Sequence, residues 1–174
     1  MSNRLFNKEL EEIAVSLREI LEFTIDKVFE KDDIYVVIDK IVEHFENIKI
    51  KSIFDYWLLE LRNNQIFNIY FGLNEKADEQ LYMLISFFAY TILFDKKTLN
   101  EYEKKQKLIT VADVLKDKDA QYLALAFIMP EKLFYESFIK HSKNDGSVDI
   151  FEMEKELKNK YVYRRGLDLG YWVV

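Results

Sequence analysis

The sequence predicts a mainly helical α+β fold, in which a small antiparallel sheet lies beside one central buried helix. Residues 81–94 contain no charged side chain. This run is longer than an ordinary strand and has no polar face, so it indicates a fully buried helix. Shorter segments before it alternate or are rich in aromatic residues, which indicates strands. The chain has only 4 Gly and 1 Pro, which favours long helices over a turn-rich all-β fold.

Two amphipathic helices are predicted at the start of the chain. Apolar residues recur at three- and four-residue steps from Leu10 to Val28, which predicts a helix over about 5–30. This helix packs on the body of the protein or, as the alternative, forms a dimer interface. Lys31-Asp32-Asp33 ends it, and apolar spacing from Ile34 to Phe45 predicts a second helix.

Three short strands are predicted next. Ile48-Lys49-Ile50-Lys51 alternates between apolar and charged residues, which indicates a strand. Residues 56–61 and 66–71 predict a hairpin. Its turn falls at Arg62-Asn63-Asn64-Gln65, because Asn tolerates positive φ.

The rest of the chain is predicted to be helical. The central helix covers about 80–94, and Asp78 is its predicted N-cap. A polar connection over 95–107 follows, and Pro130 fits the first turn of a helix, where its missing N–H costs nothing. The remaining predictions are helices over 110–115, 118–129, 131–141 and 149–161, a turn over 143–147, and a tail over 163–174 that docks on the body.

Composition restricts the possible functions. The absence of Cys excludes disulfides, thiolate zinc ligands and cysteine nucleophiles. The net charge of −6 argues against a nucleic-acid partner, since phosphate contacts need clustered Lys and Arg. The N-terminal residues lack an apolar signal core, and the uncharged run is shorter than the roughly 20 residues that span a bilayer. We therefore expect one cytoplasmic domain, residues 1–174, without a membrane partner.

Four segments resemble the ImmA/IrrE family of zinc metallopeptidase-like proteins. Asp119 to Pro130 is similar to the family's Glu-Ala-Asn-x-Phe-Ala-x-x-Leu-Leu-Met-Pro segment. Residues 38–45 resemble the family's early helix, and residues 65–71 resemble the strand before its catalytic helix. The central helix takes the place of the family's Ala-His-Glu-Leu-Gly-His segment. The resemblance implies an N-terminal helix, a zincin-like core and C-terminal helices, over 1–33, 34–130 and 131–174.

The residues that would form the family's zinc site are replaced in this chain. The resemblance places Ser86 and Tyr90 where the two His ligands would stand, and Phe87 where the general base Glu would stand. Asp119 falls at the position of the acidic ligand. Ser offers a neutral hydroxyl, Tyr has an ordinary pKa of about 10, and Phe carries no proton chemistry. We therefore expect no metal, no cofactor and no peptidase activity, which is the pattern of a pseudoenzyme.

The expected function is regulation through protein–protein interaction. Members of the resembled family often act on repressors of phages and mobile elements, so the resemblance implies a protein partner such as a helix-turn-helix repressor. Two alternatives stay open. The chain is a hydrolase or small-ligand-binding protein with a relocated, non-zinc site around Ser86, Tyr90 and Asp119, or it is a homodimeric structural module that uses its first helix.

Histidine and basic residues complete the candidates. His44 and His141 lack metal-ligand spacing, and no spacing supports a triad of Ser86, a His and Asp119. One basic cluster stands near the end of the chain and is interpreted as a solvated helix face, or as a surface for an acidic partner or nucleic acid. It comprises Lys155, Lys158, Lys160, Arg164 and Arg165.

Overall fold

The computed structural model describes residues 7–53, 56–62, 66–73, 76–97 and 106–172. Over these residues the fold is α+β and about 60% helical, as predicted. The elements in chain order are α1 (Asn7–Ile20), α2 (Ile34–His44), β1 (Ile48–Ile53), β2 (Leu58–Arg62), β3 (Ile66–Gly72), α3 (Ala77–Ile92), β4 (Lys107–Thr110), α4 (Val111–Lys116), α5 (Lys118–Ile128), α6 (Glu131–His141), α7 (Ile150–Leu157) and α8 (Val162–Leu169).

The sheet is mixed, with the strand order β1-β3-β2-β4. β2 is antiparallel to β3 and to β4, but β1 runs parallel to β3. The predicted antiparallel sheet is therefore wrong in this respect, because β1 pairs with the far side of the hairpin instead of with β2. β4 was not predicted, since it follows a long polar segment and has only Leu108 and Ile109 as apolar residues.

Helix α3 is the central helix, as predicted. Every residue from Leu81 to Thr91 is buried, and the helix packs between the sheet and α5. It begins at Ala77, and Lys76 in extended conformation is its N-cap. The predicted N-cap, Asp78, therefore lies inside the first turn, and that prediction is wrong.

Helix α1 ends at Ile20, well before the predicted end near residue 30. Glu22 adopts a left-handed conformation with φ 60°, and the N–H of Phe23 donates to the carbonyl of Arg18 at 2.7 Å. This pattern is a Schellman stop, in which a left-handed residue directs the chain away from the helix axis. The apolar residues beyond it continue the helical spacing but belong to an irregular segment, in which Phe29 stacks on Phe127 in the core.

The C-terminal region contains one more helix than predicted. Helices α5 and α6 lie where they were predicted, but the predicted helix over 149–161 is only α7, which ends at the left-handed Lys158. The tail forms α8 and then folds back, so that the Trp172 ring covers Gly166 and the indole N–H donates to the carbonyl of Tyr163 at 2.9 Å. The predicted docking of the tail is confirmed as far as Trp172.

Four predicted elements extend outside the described residues. The parts that lie outside are residues 5–6 of the first helix, 63–65 of the turn, 98–105 of the polar connection and 173–174 of the tail. Among the described residues, no helix combines the length and the apolar character that a membrane crossing needs.

Candidate functional site

The residues at the predicted zinc-site positions belong mainly to the interior of the protein. Ser86 has no exposed surface, and its hydroxyl donates to the carbonyl of Tyr82 one turn earlier, at 2.7 Å. The Ser86 hydroxyl therefore has a hydrogen-bond acceptor within its own helix, and it has no contact with solvent. Phe87 is equally buried and stacks on Trp57, with ring centroids 5.9 Å apart. These two side chains therefore stabilise the packing of α3.

Of the other two predicted positions, Tyr90 is buried and Asp119 is half-buried. Tyr90 is 5% exposed, and the Lys97 ammonium lies 4.2 Å from the centroid of its ring. Asp119 is half-buried in the first turn of α5, where an acid favours the positive end of the helix dipole. The N-cap of this helix is Asp117, which accepts the N–H of Ala120. Because α3 and α5 pack against each other, the predicted positions lie on neighbouring helices, but Ser86 offers no group to a ligand.

His44 belongs to a surface cluster with two acids. Glu22, Glu43 and His44 bring their ligand atoms within 4.8 Å of one another, the one such group among the residues that the structure describes. The Lys40 ammonium contacts both carboxylates, at 3.2 Å for Glu43 and closer for Glu22. The hydrogen bond that Lys40 donates to Glu22 raises the pKa of Lys40. Because the Lys40 ammonium already pairs with both carboxylates, we interpret the cluster as a network of surface ion pairs.

His141 and Ser137 converge on the carboxylate of Glu156. The Ser137 hydroxyl donates to Oε2 at 2.8 Å, and Nε2 of His141 lies 2.6 Å from the same oxygen. A catalytic triad needs the serine to give its proton to the histidine, with the acid behind the histidine. Here Ser137 and His141 both contact the carboxylate of Glu156 directly. The hydrogen bond from Lys140 is the largest cause that lowers the pKa of Glu156 to about 2. This arrangement joins α6 to α7 and cannot activate a nucleophile.

Two buried arginines hold the end of α5. The Arg18 guanidinium donates to the carbonyls of Phe127 at 2.7 Å and Ile128 at 3.1 Å, and Arg165 donates to the carbonyl of Met129 at 3.1 Å. The last carbonyls of a helix have no partner inside it, and cations are favoured at this end of the helix dipole. The chain therefore supplies its own cations where Pro130 interrupts the helical hydrogen bonds.

The second arginine also completes a buried polar cluster. Glu11 accepts hydrogen bonds from the Tyr122 hydroxyl at 2.8 Å and from Arg165 at 2.8 Å. Burial, followed by the Glu11 charge, raises the pKa of Tyr122. Burial also raises the pKa of Asp168. Among the described residues, Nη1 of Arg165 and Oδ2 of Asp168 are buried without a hydrogen-bond partner.

A groove lies between α1 and the start of α6, and Arg18 is one of its lining residues. Its volume is about 420 Å³. Ala14, Ala126 and Pro130 form its buried floor, while Val15 and Ile25 are 41% and 40% exposed at its sides. We call it the α1–α6 groove. Its other lining residues are Glu11, Glu12, Ser16, Arg18, Glu19, Glu131 and Lys132.

The α1–α6 groove was not predicted from the sequence, although one signal for its base was present. Arg18 stands on the apolar stripe of α1, one turn after Ala14, and a charged residue in such a stripe has to find partners. Arg165 was assigned to a solvated basic face, and this is wrong, since it has no exposed surface. Only the other members of that basic cluster are exposed or half-buried.

Comparisons with protein-family models, with curated proteins and with solved structures found no match. The geometry of the chain itself therefore carries the functional argument.

Proposed function

We propose that this chain is a non-catalytic binding protein that contacts a protein partner through the α1–α6 groove. The observation that carries this proposal is the exposed apolar surface of Val15 and Ile25 beside a concave, buried floor. Concave apolar surfaces with polar rims are typical of sites that bind other proteins or ligands. The hydrogen bonds from Arg18 and Arg165 to the carbonyls of Phe127 and Met129 hold the backbone beside the floor in place, which lowers the cost of ordering the surface on binding.

We further propose that the core is a degenerate zincin-like domain of the ImmA/IrrE type. The order α2, sheet, α3, α5, Met129-Pro130, α6 agrees with the order that the resemblance implies. The interior packing of Ser86 and Phe87 supports a protein without peptidase chemistry at these positions. A repressor of a phage or mobile element is then the proposed partner, and sequestration without cleavage is the proposed mechanism.

A homodimer is the second candidate, and it uses the same region. Val15 and Ile20 are exposed on α1, at 41% and 49%, and a second copy of the chain would bury them. Sedimentation or light scattering separates the two candidates, because a strictly monomeric chain excludes the homodimer.

Affinity capture with matched variants tests the proposed function. The whole chain, Val15→Asp and Val36→Asp are each used to capture proteins from the organism of origin. Val36 is 53% exposed on α2, away from the α1–α6 groove, so the two variants introduce the same charge at comparable exposure. We expect a protein that is retained by the whole chain and by Val36→Asp but lost with Val15→Asp. Equal capture by all three chains would overturn the role of the groove.

A further inference from the structure

The rim of the α1–α6 groove has an acidic character that its floor lacks. Glu12 and Glu19 stand on α1, and Glu131 stands at the start of α6 on the opposite side. All three residues are exposed. Lys8 lies 3.9 Å from Glu12 and is 89% exposed, which is a weak pairing. Among the described residues, Glu19 and Glu131 form no ion pair.

The basic groups that line the same groove are already engaged. Arg18 is buried and donates to three backbone carbonyls, and Lys132 pairs with Asp26 at 3.0 Å. Glu11, the fourth acid, is bound by Arg165 and Tyr122. Four acids and two bases therefore line the groove, and the three exposed glutamates give its rim an excess of negative charge.

The size of the groove sets the length of what it can hold. Its α1 wall extends from Glu11 to Glu19, which corresponds to roughly 12 Å of helix at about 1.5 Å per residue. This length matches two turns of an α-helix, which present two or three side chains on one face. The volume of about 420 Å³ accommodates apolar side chains at that spacing.

We propose that the α1–α6 groove recognises a segment of a partner protein that combines apolar anchor residues with flanking lysines or arginines. The apolar side chains contact Val15, Ile25 and the buried floor. The cations pair with Glu12 and Glu19 on one side and with Glu131 on the other. This inference rests on the proposed function of the groove as a protein-binding surface, and it adds the chemical class of the partner.

We test the inference with two fluorescein-labelled peptides of about 14 residues. At this length the free peptides form little helix. Both carry the same leucine face, and one has lysines where the other has glutamates. Fluorescence anisotropy with the whole chain measures their affinities. We expect the lysine peptide to bind at least about tenfold more tightly, through several exposed pairs, and to weaken as salt is added.

Charge variants of the chain separate the groove from general attraction to an acidic protein. Glu12→Lys, Glu19→Lys and Glu131→Lys are combined in one variant, and Asp32→Lys, Asp39→Lys and Glu46→Lys in the control. Both variants change the net charge of −6 by the same amount, but only the first changes the groove. We expect the first variant to lose the preference for the lysine peptide and the control to keep it. Circular dichroism establishes that both variants fold.

The possible outcomes separate this inference from the proposed function. If both peptides bind equally and both are lost with Val15→Asp, the groove binds proteins but the basic class is wrong. If the control loses the lysine peptide as fully as the groove variant, the attraction is nonspecific and the inference fails. If neither peptide binds, and Val15→Asp captures the same partners as the unaltered chain, the proposed function fails as well. Self-association that depends on Val15 would assign the groove to a second copy of the chain.

Discussion

At the scale of single residues, two arginines decide how α5 can end inside the core. Arg18 binds the carbonyls of Phe127 and Ile128, and Arg165 binds that of Met129, while the carbonyl of Ile128 also accepts the N–H of Phe29 at 3.0 Å. Burial lowers the pKa of Arg18 to about 9, so its guanidinium stays charged at neutral pH. A buried guanidinium is tolerated only when its N–H groups have acceptors, and all three nitrogens of Arg18 donate to backbone carbonyls.

Removal of the second arginine should be costly. Arg165→Met leaves Glu11 without its cation and the carbonyl of Met129 without its donor, and we expect a loss of about 3 kcal/mol in the free energy of unfolding. Lys155→Met is the control, since its ion pair with Glu152 on α7 is exposed on both sides and should contribute about 0–1 kcal/mol. Urea unfolding measures both. Equal losses for the two variants would contradict the assigned role of Arg165.

The sequence indicates that an apolar run is buried more readily than it indicates which charged side chain is buried. The uncharged run over 81–94 predicted buried side chains, and Ser86 and Phe87 are indeed in the interior. Arg165 could not be separated from its exposed neighbours, because burial of a charge depends on partners that are distant in sequence. Its partner Glu11 lies at the other end of the chain.

At the scale of secondary-structure elements, α6 and α7 are joined by Glu156. Hydrogen bonds from Lys140, with Ser137 and His141, lower the pKa of this carboxylate from 4.5 to about 2. A lowered pKa in the folded state adds stability above the unfolded pKa, and this stability is lost as the pH falls from about 4.5 towards 2. The carboxylate is partly exposed, so we expect a contribution near 1 kcal/mol at neutral pH.

The variant Glu156→Gln should remove this pH dependence. We expect it to be less stable than the unaltered chain at pH 7 by about 1 kcal/mol, with the difference disappearing near pH 2. Urea titrations across this range measure the difference. Glu154→Gln, on the same helix, should leave the acid dependence unchanged. A constant difference at every pH would assign the loss to packing instead of to the carboxylate.

The return of the tail over α8 depends on a glycine. A Cβ placed on Gly166 would lie 1.9 Å from a ring carbon of Trp172, so the ring would have to move. We expect Gly166→Ala to cost about 1–3 kcal/mol and to shift tryptophan fluorescence toward that of an exposed ring. Gly166→Ala combined with Trp172→Ala should show little further loss beyond Trp172→Ala alone. Unchanged fluorescence in the single variant would contradict this contact.

Periodicity predicted the interiors of the elements better than their limits. The apolar spacing beyond Leu21 continues the α1 pattern, yet the left-handed Glu22 ends the helix. Glycine is the usual residue at this position, so a glutamate here is not recognisable as a stop signal. The pairing of β1 with β3 is a contact between strands that are not adjacent in sequence, and the local pattern of apolar residues does not predict it.

At the scale of the whole molecule, a packed interior lies beneath the α1–α6 groove, and Ser86 and Phe87 belong to that interior. Metal analysis of the purified chain should therefore find zinc well below stoichiometric amounts. His44→Ala identifies any weak binding at the Glu22–Glu43–His44 cluster, because such binding would be lost in this variant. Stoichiometric zinc that a chelator removes, and that His44→Ala retains, would contradict the non-catalytic proposal.

The most direct test of this proposal is the intact mass of a captured partner after incubation with the chain. A partner that depends on Val15 for capture is purified, mixed with the chain and examined by mass spectrometry and size exclusion. The account predicts a complex in which both proteins keep their full masses. A partner that is shortened by the unaltered chain, and left whole when the chain is omitted, would show that the protein is a peptidase after all.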